Sequence, residues 1–176
     1  MAITTADELL RAQDIGRCEL VCGELRMMVP PGYEHGRLQN RIGIRLGNFV
    51  ESRKLGVVLG EIGFVLARAP DTVRAPDIAF IRAGRVAGRV PGYFEGAPDL
   101  AIEILSPDDR PGYVRDKVAE WLEAGAGAVW VIDPRGATVT VHLPRRKSSV
   151  LGDADTLHGN GALKGFEVAV REIFAR

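Results

Sequence analysis

Apolar positions along the chain change period several times, and each change marks an element. "EHGRLQNRIGIRLGNFVESRK" carries Leu38, Ile42, Leu46, Phe49 and Val50 on one helical stripe, with His35 in its first turn. A second stripe, Val114, Val118, Trp121 and Leu122, predicts a helix from about Tyr113 to Ala124. Thr5 stands three residues before Glu8 in "TTADELLRAQ", a capping-box start for a short first helix. Period-two or continuous apolar runs predict strands. "CELVCGELRMMVP" reads as two, turning near Gly23, and "GVVLGEIGFVLAR" as one long strand with Glu61, Gly63 and Val65 on one face. "APDIAFIRA", entered through Pro76, and Asp99 to Leu105 follow. "AVWVID" and "TVTVHL" join at the Asp133-Pro134-Arg135-Gly136 turn, before a loop, a short strand and a last helical turn. This order predicts a mixed central β-sheet flanked by α-helices, an α/β or α+β arrangement.

The 176 residues suffice for one domain, 1–176, with its own core. Lysine plus arginine and aspartate plus glutamate both number 23, so no global positive field advertises a polyanionic partner; a nucleic-acid surface would have to be local. Cys18 and Cys22 lack zinc-site spacing and read as reduced thiols. No basic leader precedes an apolar run, and no apolar stretch approaches the roughly 18 residues that span a bilayer. The expectation is a cytoplasmic protein without membrane contact.

The chemistry begins with charges in apolar company. Glu103 lies between Ile102 and Ile104, and shares its strand face with Ala101 and Leu105. A buried carboxylate there needs a cation, since an unpaired charge is costly away from water. Asp77 shares a face with Ala79 and Ile81 on what reads as a neighbouring strand. Two such carboxylates repel unless a divalent ion or a lysine lies between them, and oxygen ligands with positions left for water suit Mg²⁺ or Mn²⁺. Lys117 falls on the inward side of its helix, opposite Asp116, Glu120 and Glu123. Each has a plain structural alternative: Asp77 a strand-start residue, Lys117 a snorkelling one.

"APD" at 75–77 with "EIL" at 103–105 resembles the PD-(D/E)XK nuclease superfamily. A more specific resemblance, to the Uma-type restriction endonuclease family, runs through "CELVCGEL", "EHGRLQNRI", "VRAPDIAFI", "GAPDLAIEILSP", "DKVAEWLEAGAGAVWVIDP" and "DTLHG". It implies a restriction-endonuclease-like core, with Asp77, Glu103 and the Ile104 carbonyl holding Mg²⁺ or Mn²⁺. Leu105 occupies the position where the superfamily places its lysine, and the resemblance assigns that task to Lys117 on the following helix. His35 would bind a phosphate or assist a water, and Glu61 would be a third metal ligand; each also reads structurally, as a helix-start histidine and a surface carboxylate. Glu19 and Glu24, flanking the first turn, read as structural. The implied activity is metal-dependent phosphodiester hydrolysis of nucleic acid, DNA foremost, by a homodimer. The alternative is an inactive nucleic-acid-binding or dimeric interaction module on the same fold. Arg82, Arg85 and Arg89, after the Asp77 strand, and Arg110 and Arg115, near the start of the Lys117 helix, are the candidate nucleic-acid contacts, expected to adjoin the site.

Overall fold

The computed structural model describes residues 2–86, 88 and 90–175; Arg89 lies outside them. Among the described residues there are four α-helices: α1 (Ala6–Arg11), α2 (Tyr33–Ser52), α3 (Pro111–Glu123) and α4 (Val170–Phe174). The strands through the middle of the chain are β1 (Cys18–Val21), β2 (Glu24–Met27), β3 (Gly56–Gly60), β4 (Phe64–Ala67), β5 (Thr72–Arg74), β6 (Ile78–Arg82), β7 (Phe94–Glu95) and β8 (Leu100–Ile104). The rest are β9 (Ala128–Asp133), β10 (Thr138–His142), β11 (Ser149–Leu151), β12 (Thr156–His158) and β13 (Glu167–Ala169). The capping box forms as expected: the Thr5 side chain accepts from the Glu8 N–H, and Glu8 reaches back to the Thr5 N–H.

A six-stranded sheet in the order β11-β10-β9-β8-β6-β3 is the body of the molecule. Its pairs are antiparallel except β8 with β9, which run parallel and are connected through α3, the crossover that parallel neighbours require. Side-chain alternation then sorts the residues. Leu100, Ile102 and Ile104 of β8 meet Leu38, Ile42, Leu46 and Val50 of α2 on one face. Ala101 of β8, with Ala79 and Ile81 of β6 and Val129 and Val131 of β9, meets Val118 and Trp121 of α3 on the other. Burying each large aliphatic side chain contributes about 1.5–3 kcal/mol, so these two layers fix both helices against the sheet. Glu103 alternates with Ile102 and Ile104 and therefore faces α3.

A second sheet, β2-β1-β5-β4-β7, packs α1 through Ala6, Leu9, Leu20, Val65 and Val73. It corrects the long strand expected over "GVVLGEIGFVLAR". The chain leaves β3 of one sheet and enters β4 of the other, and Glu61, at φ 53°, stands in the break. A period-two pattern cannot reveal such a change of sheet, because both halves keep the alternation. Gly63 permits the break: a Cβ there would come within 2.3 Å of the Tyr93 ring. The sequence pattern also does not show β5, β7 and β11, each only two or three residues long.

Candidate active site

The pocket that brings the predicted residues together opens where α2, α3 and the ends of β6 and β8 converge. It encloses about 80 Å³ and is lined at depth by His35, Asp77, Glu103, Ile104 and Lys117, with Arg17, Met28, Val29, Pro31, Ser106 and Tyr113 nearer its mouth. β6 and β8 pair with Ile78 opposite Ile102, which sets Asp77 beside the carboxyl end of β8. Asp77 is fixed there because its Oδ2 accepts the Ile104 N–H at 2.7 Å. His35, in the first turn of α2, places Nε2 3.3 Å from the same oxygen, while its Nδ1 is buried without a hydrogen-bond partner.

Glu103 is anchored from α3. Lys117 Nζ donates to Oε2 at 2.9 Å and Trp121 Nε1 donates to Oε1 at 2.8 Å, a pair four residues apart on one helical face. Lys117 also lies 3.2 Å from Glu19 Oε1, and both side chains are buried. Glu19 was assigned no part in the chemistry; the structure puts it next to the lysine. The signal was present in "CELV", where a carboxylate interrupts an apolar strand just as Glu103 does. Arg74 closes the cluster: fully buried, it donates to Glu19 Oε2 at 2.7 Å, to both Glu120 oxygens at 2.6 and 2.9 Å, and to the Tyr113 hydroxyl at 2.9 Å. Glu120, expected on the polar side of α3, is therefore turned toward the network.

The electrostatics follow from this crowding. Burial pushes the Glu103 carboxyl up, Lys117 opposes it, and the Asp77 and Glu19 charges add to the rise, to about 7. Burial works to lower Lys117, but Glu103 and Glu19 outweigh it and hold the ammonium above its ordinary value. Burial works to raise Glu19, and Lys117, Arg74 and the Ala75 N–H overturn that, holding it below the usual carboxylate range. For His35, burial favours the neutral ring, yet the Asp77 carboxylate wins and raises it. A histidine raised above its unfolded value of 6.5 contributes stability that is present below that pH and lost as pH rises through the folded value. Glu103, raised above 4.5, has the same sign, and its share is lost as pH approaches about 7. We expect metal-free unfolding free energy to fall as pH rises above 6.5, and His35→Gln to flatten that part of the profile. An unchanged slope in the variant would show that His35 is not the group responsible.

The other predicted residues lie elsewhere. The Glu61 carboxylate is 3.1 Å from Arg17 and accepts from Gln39 Nε2 at 3.2 Å; it does not line the pocket. Arg82 and Arg85 do not adjoin the site, contrary to the expectation from sequence proximity. Arg82 ends β6 and Arg85 lies just beyond it, about 16 Å of strand or more from Asp77. There they are paired with Asp99 at 3.5 and 3.1 Å, and the Arg85 guanidinium lies over the Phe94 ring. Arg110 and Arg115, at the start of α3, are exposed and close in sequence to Tyr113 and Val114 of the pocket wall.

A model of the family named Uma2 and described as "Putative restriction endonuclease" matches residues 6–171. The chain belongs to the Uma2 family. A solved structure from Anabaena variabilis, titled as a putative nuclease belonging to DUF820, superposes with a TM-score of 0.86, covers 97% of each chain, and is 23% identical. That likeness shows the same fold, a mixed α/β core. No curated protein matches the chain. Within the Uma2 frame, the pocket's donor set decides whether a divalent cation fits. Among the described residues no three His, Cys, Asp or Glu side chains form a ready cage. Mg²⁺ does not require one, since it keeps several waters and takes one or two carboxylates. Four carboxylates, Glu19, Asp77, Glu103 and Glu120, meet Lys117, Arg74 and the protonatable His35, so the cluster carries a negative excess even with His35 charged. The pocket volume leaves room for an ion with water. The donor set fits. Among the described residues no helix is long and apolar enough to cross a membrane.

Proposed function

We propose that this pocket hydrolyses phosphodiester bonds of nucleic acid, with DNA as the expected substrate. The observation that carries the reading is the meeting of two strand carboxylates, Asp77 and Glu103, with a buried lysine in one pocket. Membership of a family described as restriction endonucleases supports the same reaction class. Asp77 and Glu103, with the Ile104 carbonyl, would hold Mg²⁺ or Mn²⁺. When bound, such an ion lowers the pKa of a coordinated water and offsets charge on a phosphate.

The protein's own groups do the rest. Lys117 donates one of its three N–H groups to Glu103 and lies in ion-pair contact with Glu19, which leaves a donor for an attacking water or a phosphate oxygen. Its charge neutralises the negative charge that grows as the phosphorus becomes five-coordinate. His35, held by Asp77, would bind a phosphate oxygen or assist a water. Exposed Arg110 and Arg115 supply phosphate contacts at the mouth. The Arg82 and Arg85 pair is offset by Asp99 and has no part in this reading.

The test is cleavage of plasmid and single-stranded DNA with Mg²⁺ or Mn²⁺ by the wild type, Asp77→Ala, Glu103→Ala and Lys117→Ala. Activity should require the metal and fail in all three variants. Equal activity in all four proteins would sink the assignment.

A further inference from the structure

Glu19 lies outside the pocket lining, yet it is more deeply buried than Asp77 or Glu103, at 1% exposure against 7% and 8%. Its contacts divide into a frame and a cargo. Arg74 Nη1 at 2.7 Å, the Ala75 N–H at 3.0 Å and the Tyr113 hydroxyl at 3.3 Å fix the carboxylate, and Lys117 Nζ sits 3.2 Å from its Oε1. A role confined to neutralising Arg74 does not account for this, because Glu120 already binds that guanidinium through both oxygens. The charge that depends on Glu19 is that of Lys117.

Glu103 has a conflict that Glu19 does not. Both Glu103 oxygens are taken, one by Lys117 and one by Trp121. Any cation that binds Glu103 competes with Lys117 for the same carboxylate. A buried lysine side chain keeps its place only while a carboxylate holds it. We propose that Glu19 is a positioning residue, the fixed anchor that keeps Lys117 at the pocket floor when Glu103 turns to a divalent cation. This rests on the metal reading given above. It assigns the two acids on Lys117 different duties: Glu103 is exchangeable, and Glu19, locked by Arg74, is not. Without Glu19, Lys117 would hold Glu103 alone, and the cation would have to break that pair to enter.

The consequence is measurable without turnover. Mn²⁺ affinity is determined by titration calorimetry for the wild type, Glu19→Gln, Lys117→Met and the double variant, with an unfolding curve for each to establish that it is folded. Glutamine keeps the size and a hydrogen-bonding oxygen, and Arg74 keeps Glu120. Glu19→Gln should weaken Mn²⁺ binding roughly fivefold or more, a typical coupling between interacting sites. In the Lys117→Met background the same change should shift the affinity by no more than about twofold, since the residue through which it acts is gone. A merely structural Glu19 would lower the unfolding midpoint and leave the Kd unmoved. Unchanged affinity in Glu19→Gln, or an equal loss in both backgrounds, overturns this proposal and leaves the metal reading intact. A wild type that binds no Mn²⁺ overturns both.

Discussion

Lys117→Met should lower kcat for DNA cleavage by about 10²- to 10³-fold while the protein still binds Mn²⁺. The magnitude is that of losing one preorganised charge aimed at a reacting centre in a site shielded from water. Methionine preserves most of the side-chain volume, and Lys117 packs beside Val118 and Trp121, so the layer between α3 and the sheet should stay closed. What changes is charge. Glu103 loses the cation that competes for it, which frees that carboxylate for a divalent ion and removes the group that orients the water. The expected signature is therefore a fall in kcat without a matching fall in metal affinity. Single-turnover cleavage beside Mn²⁺ titration checks it. Activity within threefold of wild type would mean that the superfamily's lysine task is not performed from α3.

Arg74→Met should be the most damaging single change to stability, costing about 3–5 kcal/mol. That figure is a large share of the roughly 5–15 kcal/mol that holds a domain together. Arg74 is 2% exposed and serves Glu19, Glu120 and Tyr113 at once, so its removal strands a buried carboxylate. Lysine is no substitute, because a point charge cannot satisfy acceptors arranged around a planar fork. Glu120→Gln should cost under about 1 kcal/mol, since that carboxylate is partly open to solvent. Urea unfolding of Arg74→Met, Arg74→Lys and Glu120→Gln separates these cases. Equal losses for Arg74→Met and Glu120→Gln would show that Glu19 does not depend on the arginine.

The layered core and most of the pocket were legible in the sequence, for a definite reason. The α2 stripe, the alternation in β8 and the inward side of α3 each express a single local period, and local periods fix which way a side chain faces. Asp77, Glu103 and Lys117 could be placed because each breaks such a period with a charge. His35 followed from its position in the first turn of the α2 stripe. Glu19 breaks a period in the same way, but β1 is only four residues long and belongs to the smaller sheet. Nothing local says that this sheet delivers it beneath α3. Arg74 was invisible for the same reason, being a β5 residue whose partners are 55 and 46 positions away. The misplacement of Arg82 and Arg85 had the opposite origin: nearness in sequence was taken for nearness in space, although a strand carries the chain away from the site.

The central claim is that Asp77 and Glu103 form a divalent-cation site above Lys117. Anomalous diffraction from crystals soaked in Mn²⁺ tests it most directly. The account predicts one strong peak within bonding distance of Asp77 and Glu103 carboxylate oxygens, with Lys117 still against Glu19 and the peak lost in Glu103→Gln. A pocket without a peak at millimolar Mn²⁺, or a peak that survives Glu103→Gln unchanged, would contradict it.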